Sequence, residues 1–260
     1  MRPRLTATPD KNHRLPTRLV KGSRFIPDRF VVDDREIGPD EVCRRLHGYL
    51  STERAARIDR VIDERTYSVS TVIEGLANSG NVSAVMRTAE GFGFQRFDLI
   101  AGDAPYKHSR RTAQGADKWL DVSGWYEPEA CAESLHEDGY RIVATHLDER
   151  AHAAWDLDFS GKVALVFGNE IRGVSPRMLA CADELCVIPI SGFVQSFNIS
   201  VAAAMVLYQA RLARARAGVG GDLTAVERLR MRAEFYRRSI KSADLLLSES
   251  LKKDPLPEVS

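Results

Sequence analysis

A chain of 260 residues, 44% apolar and 28% charged, has the composition of an ordinary soluble globular protein, with room for one sizeable domain and appendages. No run of about 18 apolar residues is present and the basic N-terminus lacks the apolar centre of a secretory signal, so no membrane association and a cytoplasmic location are expected. The net charge of +1 is unevenly spread: residues 1–30 carry eight Lys/Arg against Asp10 and Asp28, and residues 211–241 carry nine against Asp222, Glu227 and Glu234. Basic ends on a neutral core suit a polyanionic partner, and a flexible tail with a solvated helix face accounts for the same charges.

In chain order, residues 1–38 are rich in Pro, Arg and Asp without periodicity and read as a flexible basic extension. Residues 39–65 read as a helical segment, with Val42, Leu46 and Tyr49–Leu50, then Ala55, Ile58, Val61 and Ile62, at helical spacing. Ser51-Thr52-Glu53 would cap the second helix. From 66 to 217 strands and helices alternate: strands at Ser70–Leu76, Arg96–Ile100, Asp121–Gly124, Arg141–Thr145, Lys162–Phe167 and Glu184–Ile188, helices at Ser83–Gly91, Pro128–Asp138, Pro176–Ala182 and Ile199–Arg216. Nearly continuous apolar strands predict an α/β domain, its mostly parallel sheet covered by helices on both faces. Residues 218–260 open on a glycine hinge, continue as a helix over Thr224–Lys241 and end in a polar tail.

Cys43, Cys131, Cys181 and Cys186 are scattered, and the pair in CADELC has no second half and no neighbouring histidine, so no metal is expected. Three other stretches carry chemistry. Asn81–Phe94 (NVSAVMRTAEGFGF) is a helix, capped by Asn81 or Ser83, that follows a strand end and places Arg87 on its surface. Leu165–Pro176 (LVFGNEIRGVSP) runs a strand into Gly168, which would let a ligand approach the backbone, and sets the Glu170 carboxylate at the strand end. It is no phosphate loop, since the Lys-Ser/Thr pair is missing and the acid would repel phosphate. Ile188–Ala203 (IPISGFVQSFNISVAA) breaks at Ser191-Gly192 and sets Gln195, Ser196 and Asn198 before an apolar helix. One capping residue explains Ser196 or Asn198, not all three. Each stretch sits at the C-terminal end of a strand, where ligands of open α/β sheets collect. No Gly-x-Gly-x-x-Gly follows a strand, which disfavours a dinucleotide dehydrogenase.

Together the three stretches resemble the motifs of the SpoU/TrmH family of RNA 2′-O-ribose methyltransferases in the SPOUT superfamily. They match as Asn81–Arg87, Gly168–Gly173 and Ile188–Ala202, with Ile190 where the family has methionine and Phe197 where it has leucine. The resemblance covers about residues 52–216. It implies a C-terminal trefoil knot over roughly Val163–Ala203, a feature that periodicity would never suggest because knots are essentially absent from proteins. It also implies homodimers paired through the knot, with the active site at the seam and S-adenosyl-L-methionine as cofactor. Backbone at Thr145, Gly168, Ile188, Ile190 and Phe197 would hold that cofactor; its sulfonium is a cation, so shape must replace the anion preference of a helix N-terminus.

The family assigns the arginine matching Arg87 as the base that activates the ribose. Arginine is otherwise treated as permanently protonated, which leaves anchoring of the 3′-phosphate or stabilisation of the attacking oxygen as open roles. By the same resemblance Asn81 orients Arg87, Glu170 and Asn198 hold loops or substrate in register, and Ser196 belongs to the substrate side or the partner subunit. His146 is read as structural. Arg110, Arg111 and Lys118, in the loop after the second strand, would touch RNA phosphates together with the basic terminal helices. The expected RNA is tRNA, at a D-loop guanosine; ribosomal RNA is the alternative, and a catalytically silent RNA-binding dimer the alternative of another class.

Overall fold

The computed structural model describes residues 26–75, 79–100, 115–169 and 172–253. They form two compact units, one built from residues on either side of the other: 26–65 with 221–253, and Thr66–Gly220.

The first unit opens with a hairpin of β1 (Phe30–Val32) and β2 (Arg35–Ile37), within the stretch expected as a flexible extension. Its two-residue turn, Asp33-Asp34, holds both residues at positive φ (47° and 62°), which aspartate tolerates and a hairpin's twist requires. Phe30, Val32 and Ile37 are buried beneath it. Helix α1 (Pro39–His47) buries Val42 and Leu46, and α2 (Thr52–Asp63) is capped by Ser51, whose hydroxyl accepts from the Arg54 amide at 3.2 Å. Helix α7 (Ala225–Ser239) starts in a reciprocal Thr224–Glu227 capping box, and α8 (Ala243–Lys253) follows where a polar tail was expected, burying Leu247 and Leu251. All five α7 arginines are matched inside this unit. Arg232 pairs with Asp59 at 2.7 Å, Arg230 with Asp28 at 2.6 Å, Arg237 with Asp244 at 2.6 Å, Arg238 with Glu234 at 2.8 Å, and Arg228 with Asp63. The basic C-terminal helix thus meets acids of its own fold, and its charge does not by itself argue for RNA.

The second unit is a seven-stranded sheet ordered β5-β4-β3-β8-β6-β9-β7, parallel at every neighbouring pair. The strands are β3 (Thr66–Glu74), β4 (Phe94–Ile100), β5 (Asp121–Trp125), β6 (Arg141–Thr145), β7 (His152–Ala153), β8 (Val163–Phe167) and β9 (Glu184–Val187). The two-residue β7 is too short to leave a pattern in the sequence. Helices α3 (Ser79–Gly91) and α6 (Ile199–Arg216) share one apolar cluster with Val69, Ile73 and Leu165. Helices α4 (Pro128–Glu137) and α5 (Pro176–Leu179) pack into a second cluster with Val72, Ile142 and Val166. Adjacent β3 residues such as Val72 and Ile73 therefore serve opposite faces, as the strand's period of two dictates. Helix α3 begins at Ser79, so Asn81 and Ser83 lie inside it and neither caps it as expected; Val82, Val85, Met86 and Ala89 do face the core.

A buried polar cluster ties β3, β4, β5 and α4. Asp98 accepts from Arg96 Nε (2.8 Å), Trp125 Nε1 (2.8 Å) and Ser70 Oγ (3.2 Å), while Arg96 Nη1 donates to Asp138, just past the end of α4, at 2.6 Å. Burial disfavours the guanidinium charge, but the Asp98 carboxylate outweighs it and holds Arg96 more firmly protonated than usual.

Candidate active site

A cavity of about 310 Å³ opens at the C-terminal ends of β6, β8 and β9. Its size suits a small-molecule ligand, and its place is where a parallel sheet offers one. Three chain segments form the wall: Thr145–Leu147 after β6, Phe167–Asn169 with Arg172 and Gly173 after β8, and Cys186–Ile188, Ile190 and Gln195–Phe197 leading into α6. All five residues expected to hold the cofactor (Thr145, Gly168, Ile188, Ile190 and Phe197) are on this wall, and so is Ser196. Their assembly follows from strand pairing. The Thr145 hydroxyl donates to the Val166 carbonyl at 3.0 Å and the His146 amide to the Cys186 carbonyl at 2.9 Å, which locks the three strand ends side by side.

Gly168 is needed for a reason other than ligand approach. A Cβ there would lie 1.9 Å from the Gly173 carbonyl carbon and 2.1 Å from the Val174 nitrogen, so the chain itself fills the space. The Gly173 amide bonds back to the Asn169 carbonyl at 2.9 Å, and the Arg172 amide to Asn169 Oδ1 at 2.7 Å. The result is a tight turn that presents backbone to the cavity.

The third stretch is exposed from Ser191 to Asn198. Asn198 is the N-cap of α6: its Oδ1 accepts from the Ser200 amide at 2.9 Å and from the Ser200 hydroxyl at 2.6 Å. Its position is therefore explained by capping, and it does not line the cavity. Asn81 and Arg87 on α3, Arg87 exposed, also lie off the wall. Lys118 is exposed, with its ammonium 5.0 Å from the Trp119 ring centroid. Glu170, Arg110 and Arg111 lie outside the described residues.

The wall also holds residues that motif reading passed over. Arg172 is exposed and its guanidinium has no partner among the described residues. His146, read as structural, lies on the wall too. Cys186 is fully buried there, and burial pushes its thiol up to about 12. His146 directly follows β6, Cys186 is the last residue but one of β9 and Arg172 lies five residues past β8, so nearness to a strand's C-terminal end was the available signal. Among the described residues no cluster of three His, Cys, Asp or Glu side chains could hold a metal, and no helix is long and apolar enough to cross a membrane.

Comparison with known proteins agrees with this geometry. The profile of the SpoU rRNA methylase family matches residues 68–208, more than half of the chain. The tRNA (guanosine(18)-2′-O)-methyltransferase of Borreliella burgdorferi is 31% identical over 206 residues, 78% of this chain and 94% of that protein. The solved TrmH/SpoU tRNA-modifying enzyme of A. aeolicus superposes with a TM-score of 0.68 at 27% identity, covering 72% of this chain and 97% of that one. An AdoMet-bound rRNA methyltransferase from Sinorhizobium meliloti gives 0.53 at 25% identity over 59% of each chain. With its parallel sheet, its strand-end cavity and these matches, the chain belongs to the SpoU family of S-adenosylmethionine-dependent RNA 2′-O-ribose methyltransferases.

Proposed function

We propose that this enzyme methylates the ribose 2′-oxygen of a D-loop guanosine in tRNA, working as a homodimer in the cytoplasm. The observation that carries the reading is the match to a tRNA guanosine methyltransferase over 94% of that protein's length. The ribosomal alternative draws on the S. meliloti enzyme, whose match stops at 59% of each chain.

The cavity fits the cofactor. Ile188, Ile190, Phe167 and Phe197 offer apolar surface and Gly168 offers bare backbone, while Arg172 puts a guanidinium on the same wall. Thr145, Gly168, Ile188, Ile190 and Phe197 would hold S-adenosylmethionine, which when bound supplies an electrophilic methyl group. The chain's own contribution is chiefly positioning, worth roughly 7–11 kcal/mol for well-oriented partners. Arg87 serves the ribose by anchoring the neighbouring phosphate, by stabilising charge on the attacking oxygen or by taking its proton. Asn81 orients Arg87, Ser196 meets substrate from the cavity wall, and Glu170 and Asn198 keep loops and substrate in register.

Arg87 lies off the cavity wall in one chain, which is consistent with a site completed by a second copy. Phe193 is fully exposed, and Val194 (61%), Val201 (48%) and Tyr208 (52%) continue an apolar surface from the loop onto α6. Such a surface suits the partner protomer. The reading extends to a knot over roughly Val163–Ala203. What supports it is that the chain leaves β8, contributes α5 to one apolar cluster, enters β9 beyond β6 and returns as α6 in the other cluster. Arg110, Arg111 and Lys118 complete the proposal as phosphate ligands. Removing any one of these three charges should flatten the salt dependence of tRNA binding by about one unit of log–log slope. The test of the whole reading is methyl transfer to tRNA and rRNA substrates with ribose mapping. Calorimetry with S-adenosylmethionine separates it from a silent RNA-binding dimer, for which no binding is expected.

A further inference from the structure

Glu74 ends β3, the strand that leads into the arginine helix, and it is 8% exposed. Both of its carboxylate oxygens are occupied by one residue 101 positions away. Oε2 accepts the Ser175 amide at 2.8 Å and Oε1 the Ser175 hydroxyl at 2.6 Å. Ser175 lies two residues past Gly173, which with Arg172 walls the cavity, and it caps α5 by accepting from the Met178 amide at 3.1 Å. One residue further along, Gly75 (φ +83°) packs against the same turn: a Cβ there would lie 2.9 Å from Asn169 Nδ2. The end of β3 and the second motif segment are therefore fastened to each other at two adjacent points, and the stronger is a charge-assisted pair on a largely buried carboxylate.

A four-residue helix has no need of a buried carboxylate from a distant strand to cap it; Ser175 alone does that. What the pair adds is a fixed height for the turn above the strand ends. We propose that Glu74 is a positioning residue for cofactor binding, holding the Arg172–Ser175 segment of the cavity wall in the form that accepts S-adenosylmethionine while touching neither cofactor nor RNA. The proposal rests on the cofactor reading of the cavity.

The test is calorimetric titration of the full chain with S-adenosylhomocysteine. Glu74→Gln keeps the shape but makes the bonds neutral, and if its nitrogen turns toward Ser175 Oγ the hydroxyl proton loses its acceptor; affinity should fall about fivefold. Ser175→Ala should weaken binding, and Ser175→Thr, which restores the hydroxyl, should return it to the wild-type value. Tyr67→Phe is the control. It removes a buried bond to Asp121 (2.5 Å) in a pair that does not line the cavity, so it should lower the melting temperature and leave affinity unchanged. If Glu74→Gln lowers the melting temperature but binds like wild type, Glu74 is a structural anchor only and the proposal fails. Should Glu74→Gln not fold, the Ser175 pair decides: equal affinity for Ala and Thr variants overturns the idea. Failure of the wild-type protein itself to bind would remove the cofactor reading, and this proposal with it.

Discussion

Replacing Gly168 by alanine adds one methyl group where the Gly173–Val174 backbone folds back against it. That methyl would stand 1.9 Å from the Gly173 carbonyl carbon and 2.2 Å from its oxygen. Carbon atoms settle at about 3.5 Å or more, so the Gly173–Val174 backbone must retreat by roughly 1.5 Å. Val174 is 3% exposed in the core below and Ser175 is tied to Glu74, so the retreat has no soft direction. Overpacking costs about 1–3 kcal/mol, and backbone against backbone belongs at the upper end. A cost near 3 kcal/mol lowers the melting temperature of a domain this size by roughly 10 °C. Displacing the cavity wall by more than an ångström should also reduce methyl transfer about a hundredfold. Circular-dichroism melting and transfer of labelled methyl groups, assayed well below the melting point, measure both. Gly48→Ala is the comparison, because Gly48 has helical φ (−66°), lies outside the catalytic unit, and a Cβ there meets nothing within 4 Å; it should melt and react as wild type. A Gly168→Ala protein with unchanged melting and activity would refute the steric argument.

Arg87→Lys separates the roles left to that residue: activity retained with a pH–rate midpoint near that of lysine indicates a base, whereas parallel loss of activity and RNA affinity indicates a phosphate anchor. Asp98→Asn leaves the buried Arg96 charge with only the half-exposed Asp138 carboxylate and should cost about 3 kcal/mol in urea unfolding; a loss below about 1 kcal/mol would mean the pair is nearly neutral in net effect. The Cys186 thiol, raised by burial from an ordinary 9.0 to about 12, ionises later in the folded chain than in the unfolded one. Its contribution is therefore fully present below pH 9 and is lost as pH rises from 9 toward 12, and alkylation at pH 8 should spare Cys186 in the folded protein. Peptide mapping after iodoacetamide treatment reads this directly, and prompt labelling of Cys186 would contradict it.

The apolar runs at Arg141–Thr145 and Lys162–Phe167 declare buried parallel strands, and α6 matches its expected bounds at both ends, because long uninterrupted patterns need no tertiary information. The cavity residues Thr145, Gly168, Ile188, Ile190 and Phe197 are legible through resemblance, and strand order explains why residues so far apart meet. What the sequence conceals is pairing. The hairpin turn Asp33-Asp34 looks like tail composition until its positive φ values are seen. The α7 arginines look like an RNA surface until Asp28, Asp59, Asp63 and Asp244 are found opposite them. Asn198 reads as a site residue, yet its oxygen caps α6, and a single cap and a substrate-binding amide are indistinguishable by letter. The reason for Gly168 likewise lies in the close return of the Gly173–Val174 backbone, which the letters alone do not display.

On this structure and its matches, the chain methylates a ribose in tRNA. Purified protein, labelled S-adenosylmethionine and unmodified tRNA transcripts, followed by nuclease mapping, test it most directly. One 2′-O-methyl guanosine is expected in the D-loop, absent with Arg87→Ala, and no label in ribosomal RNA. Label confined to ribosomal RNA, or methyl transfer to a base instead of a ribose, would contradict it.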